Sequence, residues 1–276
     1  MKWGMVLAGA SAEIVPVSLE IGRFLFSPGR KFHGFLVEAR AERGVFRRML
    51  EVAAKHNARL RLAHFQSFKR KTILVFFDCT ECDVEPQELM KEISRSRNII
   101  SIKPIESKIE GFIIDTATKH LTISGVRSAA VSLPVFRGLI QGVHERLGSG
   151  GAVFLYYMGV EAGREASKLA REMALDLGIL DSLRILRDIT LPLYGSTGWG
   201  FPEVVEYHDK PLLMRIRIYD SLECEVGRGA RQSYSHLARG FIAGCIEELF
   251  GVKVSVTEVK CIAKNDPYCE FTVKPA

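Results

Sequence analysis

The 276-residue chain has no window approaching about 18 uninterrupted apolar residues, which excludes a transmembrane helix. It has no phosphate loop and no dinucleotide fingerprint, since Gly227-Arg228-Gly229 is too short to count. Its seven histidines form no H-x3-H pair, and no Ser-His-Asp order is present. Nothing therefore assembles a nucleophile with its base, and the chain reads as a regulator more than as an enzyme. No helix-turn-helix pattern accompanies the net charge of +6. Arg43, Arg47, Arg48, Arg59, Arg61, Lys69, Arg70 and Lys71 are spread as on a solvated basic face, so direct DNA binding is not expected. The first residues hold only a short apolar run before Glu13, too little for a signal peptide, so a cytoplasmic protein with an N-terminal arm (1–32) is expected. Six cysteines in a long, core-rich chain need not be paired in disulfides.

What is present is ordinary globular composition, 47% hydrophobic and 25% charged, at a length that suggests two domains. Residues 33–105 read as β-α-β-β-α-β. A short apolar strand ends at Ala39, and a helix carries Val45, Met49, Val52 and Ala53 on one face. A strand alternating through Leu60, Leu62 and His64 follows, then a hairpin turn at Lys69-Arg70-Lys71, then a continuous apolar strand from Thr72 to Asp78. Pro86 opens a second helix, and Ile99 to Ile105 closes the unit. This ferredoxin-like order, with Arg43-Gly44 at the first strand-to-helix turn, resembles an ACT domain. The resemblance implies amino-acid binding near Arg43 and Gly44, or dimerisation, and a homodimer is expected. A bare dimerisation module is the alternative. Cys79-Thr80-Glu81-Cys82 is half a zinc site, a redox pair, or two incidental loop cysteines.

Residues 106–125 read as a linker, and 126–276 as a second domain. Val131, Val135, Leu139, Val143 and Leu147 recur at about four-residue spacing, as in a helix. Gly148-Ser149-Gly150-Gly151 should stop it. A second helix is expected over 152–177, and a later one around Gly240. Gly159 and Gly163 on the first, with Gly240 and Gly244 on the second, predict that these helices cross at their glycines. Strands are expected from Glu203 to His208 and from Leu212 to Tyr219, with Leu222 to Val226 pairing alongside, and a last hairpin is expected over 252–273. The fold class is α+β: a ferredoxin-like (ACT-like) domain, then an antiparallel sheet packed against helices.

Glu258, Cys261 and Cys269 stand as E-x2-C-x7-C around the turn Asn265-Asp266-Pro267, so that a carboxylate and two thiolates can converge on one point. Two cysteines buried in a hairpin are the alternative. Gly240-Phe241-Ile242-Ala243-Gly244, Glu258-Val259-Lys260-Cys261 and Asp266-Pro267-Tyr268-Cys269-Glu270-Phe271 resemble the C-terminal signature of the 4-vinyl reductase family. That family includes effector-sensing domains of aromatic-responsive activators, and its fold is related to small trafficking-complex subunits. The resemblance implies a zinc site of three cysteines and one glutamate. Its third cysteine position falls on Ser235, a poor zinc ligand, with His236 adjacent. It also implies a pocket for a small hydrophobic or aromatic molecule. Tyr156, Trp199, Phe201, Tyr234 and Phe241 are the ring candidates for its wall, and Tyr157 and His236 join Tyr156 as polar candidates. The expected function is a small-molecule sensor that acts through an output protein. A tetrapyrrole-related reductase or accessory subunit, and an assembly module, are the alternatives.

Overall fold

The computed structural model describes residues 18–40, 44–66 and 71–276. The turn expected at Lys69-Arg70, the N-terminal residues as far as 17, and Arg43 lie outside them. The chain divides into two units, Met1–Ser128 and Ala129–Ala276.

The first unit contains β1 (Phe24–Phe26), β2 (Phe32–Ala39), α1 (Val45–Lys55), β3 (Arg59–Gln66), β4 (Lys71–Asp78), α2 (Pro86–Ser94), β5 (Ile99–Glu106), β6 (Phe112–Ile114), β7 (Leu121–Ile123) and β8 (Val126–Ser128). β3-β4-β2-β5 form one antiparallel sheet, the ferredoxin-like order. The continuous apolar run of β4 follows from burial on both sides. Ile73, Val75 and Phe77 pack with Val45, Met49 and Val52 of α1 and with Leu89 and Ile93 of α2. Leu74 and Phe76 join Phe32, Leu62, Ile105 and Ile113 in a second cluster, with Leu25 against it. That second cluster is partly closed by the β1–β6 ribbon. Residues 106–125, read as a linker, thus supply β6 and β7. Gly44 precedes α1 with φ +86, a conformation that favours glycine, although a Cβ there would meet nothing within 4 Å.

The second unit contains α3 (Leu133–Leu147), α4 (Ser149–Asp176), α5 (Ser182–Ile185), a π-helical turn (Leu186–Thr190), α6 (Leu191–Ser196), β9 (Phe201–His208), β10 (Leu213–Tyr219), α7 (Leu222–Val226), α8 (His236–Phe250), β11 (Val254–Lys260), a 3-10 turn (Ile262–Lys264) and β12 (Cys269–Pro275). Its antiparallel sheet runs β11-β12-β10-β9. Alternation sends Met214, Ile216 and Ile218 of β10, Phe271 and Val273 of β12, and Val254 and Val256 of β11 into the core. Ile242, Ala243, Cys245 and Ile246 of α8 meet them there. The two chain units are thus mixed α+β, with antiparallel sheets packed against helices.

Helices α4 and α8 cross backbone to backbone. A Cβ on Gly159 or Gly163 would lie 2.1 Å from the carbonyl oxygen of Leu237 or Phe241. One on Gly240 or Gly244 would lie 2.0 or 1.9 Å from that of Tyr156 or Val160.

Two local expectations fail. The α3 stripe of Val135 and Leu139 is exposed, at 58% and 59%, while Phe136 and Ile140, one residue on, are buried. A spacing of four drifts around a helix of 3.6 residues per turn, so it does not fix the inward face. Residues 222–226 are helix α7 and not a strand. Ser221 takes the extended N-cap conformation, and its hydroxyl accepts the Cys224 N–H at 3.4 Å. A local cap overrides a weak apolar strand pattern there.

Candidate metal centre and its surroundings

In β11 the residues that face the core are Val254 and Val256, and the same alternation brings Glu258 inward. A register shift between Glu258 and Lys260 ends the regular pairing with β12 and leads the chain to Cys261. The 3-10 turn and Asn265, at φ +72, then reverse the chain into Cys269, the first residue of β12. The Asp266 carboxylate accepts the Cys261 N–H at 2.7 Å and braces the turn. Cys224 arrives from α7, and Ser235, the N-cap residue of α8, sits among the four.

Ligand atoms of Cys224, Glu258, Cys261 and Cys269 all lie within 4.8 Å of one another, an arrangement that can hold a metal ion. The Cys224 sulfur stands 3.5 Å from that of Cys261 and 3.4 Å from that of Cys269. Ser235 Oγ donates to Glu258 Oε1 at 2.7 Å and lies 2.8 Å from the Cys224 sulfur. The Ile262 N–H points at the Cys269 sulfur, 3.4 Å away. The three cysteines are buried and Glu258 is half-buried. Burial is the main cause that pushes the Glu258 carboxyl up to about 8. Hydrogen bonds from the Cys224 and Cys269 thiols lower the Cys261 thiol, and they raise that of Cys224.

The third sulfur therefore comes from Cys224 and not from position 235. Ser235 supplies a hydroxyl that hydrogen-bonds within the group. His236 faces elsewhere: its ring lies 5.5 Å from that of His144 and 6.3 Å from that of Tyr234. Burial, then the charges of Arg239 and His144, hold its imidazole down at about 4. Three thiols and a carboxylate suit zinc, for which sulfurs about 2.3 Å from the ion lie under 4 Å apart. A backbone N–H on one sulfur is the usual outer support of such a ligand. Residues and donor chemistry thus fit the metal.

Residues 214–275 match the 4-vinyl reductase (4VR) domain. A curated relative is an uncharacterised protein of Methanocaldococcus jannaschii, 32% identical over 124 residues. That alignment covers 43% of this chain and 48% of the relative, so the chain spans about half its length. Among solved structures, the phenol-responsive sensory domain of the transcription activator PoxR, crystallised with phenol, shares the fold. It is 19% identical with TM-score 0.50, over 55% of this chain and 78% of that one. A vinyl-4-reductase family protein from Methanocaldococcus jannaschii is 22% identical with TM-score 0.39, over 54% of this chain and 84% of that one.

The matched residues and the elements just before them hold a run of touching rings. Phe136 of α3 meets Trp199 edge-on at 5.4 Å, Trp199 lies 6.2 Å from Tyr194 of α6, and Tyr194 lies 4.8 Å from Phe241 of α8. Burial raises the Tyr194 hydroxyl pKa, with the charges of Glu223, Cys224 and Cys269 adding to it, so this ring adjoins the metal centre. The Trp199 carbonyl accepts the Leu222 N–H, which ties it to the start of α7. Of the expected wall residues, Trp199 and Phe241 belong to this run. Tyr156 and Tyr234 lie to one side, near Arg239 and His144 respectively. Phe201 is 61% exposed at the start of β9, and Tyr157 is exposed as well. Sequence reasoning missed Tyr194 because residues 179–198 carry no clear period, and it missed Cys224 because its segment read as a strand.

Glu223, beside Cys224, is buried, and its two carboxylate oxygens accept the Leu237 and Ala238 N–H groups at 2.8 and 2.9 Å. It caps the N-terminus of α8 from a neighbouring helix. Among the described residues, no helix is long and apolar enough to cross a membrane.

Proposed function

We propose that the second unit is a sensory domain for a small hydrophobic or aromatic molecule, stabilised by zinc bound to Cys224, Glu258, Cys261 and Cys269. The observation that carries this reading is the run of rings from Phe136 through Trp199 and Tyr194 to Phe241, joined through Trp199 and α7 to the metal centre. The match to the 4-vinyl reductase domain and the fold shared with a phenol-responsive sensory domain support it. When bound, zinc would supply a closed cross-link between α7 and the β11–β12 hairpin. The chain's own residues do the rest. Ser235 and the Ile262 N–H orient the ligand atoms, and the rings offer an apolar face with the Tyr194 hydroxyl and the Trp199 indole N–H as polar points.

The first unit serves as an ACT-like module that dimerises the chain or binds an amino acid near Gly44, and the signal leaves through an output protein. Thermal denaturation with phenol tests the sensory reading. A melting point that rises with phenol concentration is expected, and an unchanged one would remove the reading. Light scattering tests the dimer, for which a mass of 30.8 kDa would be the wrong result.

A further inference from the structure

The half-buried arginines of the second unit have acceptors, with one exception. Arg164 pairs with Glu247 at 2.8 Å, Arg217 pairs with Glu270 at 2.6 Å, and Arg171 donates to the Glu248 carbonyl. Arg239, in the first turn of α8, has no such partner among the described residues. Its guanidinium stands over the Tyr156 ring, 4.9 Å from the centroid, and its Nε is buried with no hydrogen-bond partner. Beside it His144 of α3 also has a buried, unpartnered Nε2. The His144 ring packs 4.9 Å from Tyr234 and 5.5 Å from His236. Arg239 and His144 are the two charges that, after burial, depress His236, so the three basic groups share one local field.

Buried polar atoms without partners are few in folded proteins, and an unpaired cation there is costly. Two such atoms together, with no carboxylate to balance them, call for an acceptor from outside the chain. A water could take one N–H but would leave the charge uncompensated. The surroundings are aromatic: Tyr156 and Tyr234 present ring faces, and Tyr234 packs on the apolar cluster of Phe136, Ile140, Leu155 and Val226.

We infer that Arg239, assisted by His144 and flanked by Tyr156 and Tyr234, receives the carboxylate of a small apolar acid. The inference rests on the sensory reading and narrows it: the molecule sensed is an anion, not a neutral aromatic. A guanidinium suits a carboxylate because its N–H groups match the two oxygens.

Calorimetric titration of the full chain with benzoate, benzamide and phenol tests this. Benzoate should bind at least about tenfold tighter than benzamide, its neutral isostere. Arg239→Gln should weaken benzoate by about thirtyfold or more while leaving benzamide unchanged. Arg239→Lys, which keeps the charge but not the fork, should fall between. Equal binding of benzamide and benzoate, or benzoate binding untouched by Arg239→Gln, would overturn the anion inference and leave the sensory reading standing. Failure of all three compounds to bind would remove both. Should Arg239→Gln fail to fold, the comparison of benzoate with benzamide on the unaltered chain decides alone.

Discussion

Replacing Gly244 with alanine should destabilise the second unit even though alanine is the better helix former. Helix propensity alone favours alanine over glycine by about 1 kcal/mol in a helix interior. At this position the added Cβ would lie 1.9 Å from the Val160 carbonyl oxygen, whereas real Cβ atoms essentially never come within 3.0 Å of such an atom. The obstacle is backbone on both sides, so no side-chain rotation relieves it. Helices α4 and α8 must part by roughly an ångström, in an interior packed too densely to absorb it. A gap of that size forfeits a quarter to a half of each affected dispersion contact. Val160, Ile242, Ala243 and Cys245 lie at or beside this crossing and belong to the core. Overpacking costs about 1–3 kcal/mol and sometimes more, and a backbone obstacle belongs at the upper end, so a net loss of about 2 kcal/mol is expected after the propensity gain.

Gly138 of α3 is the control, because a Cβ there meets nothing within 4 Å. Gly138→Ala should gain about 0.5–1 kcal/mol. Urea denaturation followed by Trp199 fluorescence reads both, in a Trp3→Phe background because the chain has two tryptophans. Trp199 packs on Phe136 and so follows its own unit. Equal or greater stability of Gly244→Ala would refute the argument that the crossing needs glycine.

Metal analysis after purification without chelator should find about one zinc per chain, lost in Cys224→Ser and retained in Ser235→Ala, because the serine is a hydrogen-bonding neighbour and not a ligand. Chelation should lower the melting point of the unaltered chain and leave that of Cys224→Ser unchanged. Glu223→Ala should cost about 1–3 kcal/mol, read by urea denaturation, because it strands two buried N–H groups at the start of α8. In the first unit, His56 stands between Glu92 (3.0 Å) and Asp83 (2.9 Å), and the hydrogen bond with Glu92, then that with Asp83, raises its pKa. Its contribution to stability is therefore complete below the ordinary value of 6.5 and is lost as pH rises through the raised one. Hydrogen exchange in α1 should show protection falling across that window, and His56→Gln should abolish the dependence.

The ferredoxin-like unit was legible because each strand and helix carries its own signal. β4 is apolar throughout because it has core on both faces, and Pro86 marks the start of α2. The glycine crossing was legible for a similar reason, since two pairs at spacing four on two helices have few other uses in a soluble interior. The β1–β6 ribbon was not legible: it joins three-residue strands far apart in sequence, and no periodicity survives over three residues. The metal centre shows the same division within a single site. Glu258, Cys261 and Cys269 belong to one hairpin, so their spacing alone suggests convergence. Cys224 enters from a five-residue helix, too short to carry a period, and its arrival depends on a serine cap and on Glu223 holding α8 beside it. That dependence couples two structural roles within adjacent residues: Glu223 fixes the start of α8, which sets Ser235, while Cys224 completes the donor set that Ser235 touches. A change in α7 that unwinds its single turn should therefore loosen the metal and the start of α8 together, whereas a change in the hairpin should loosen the metal first.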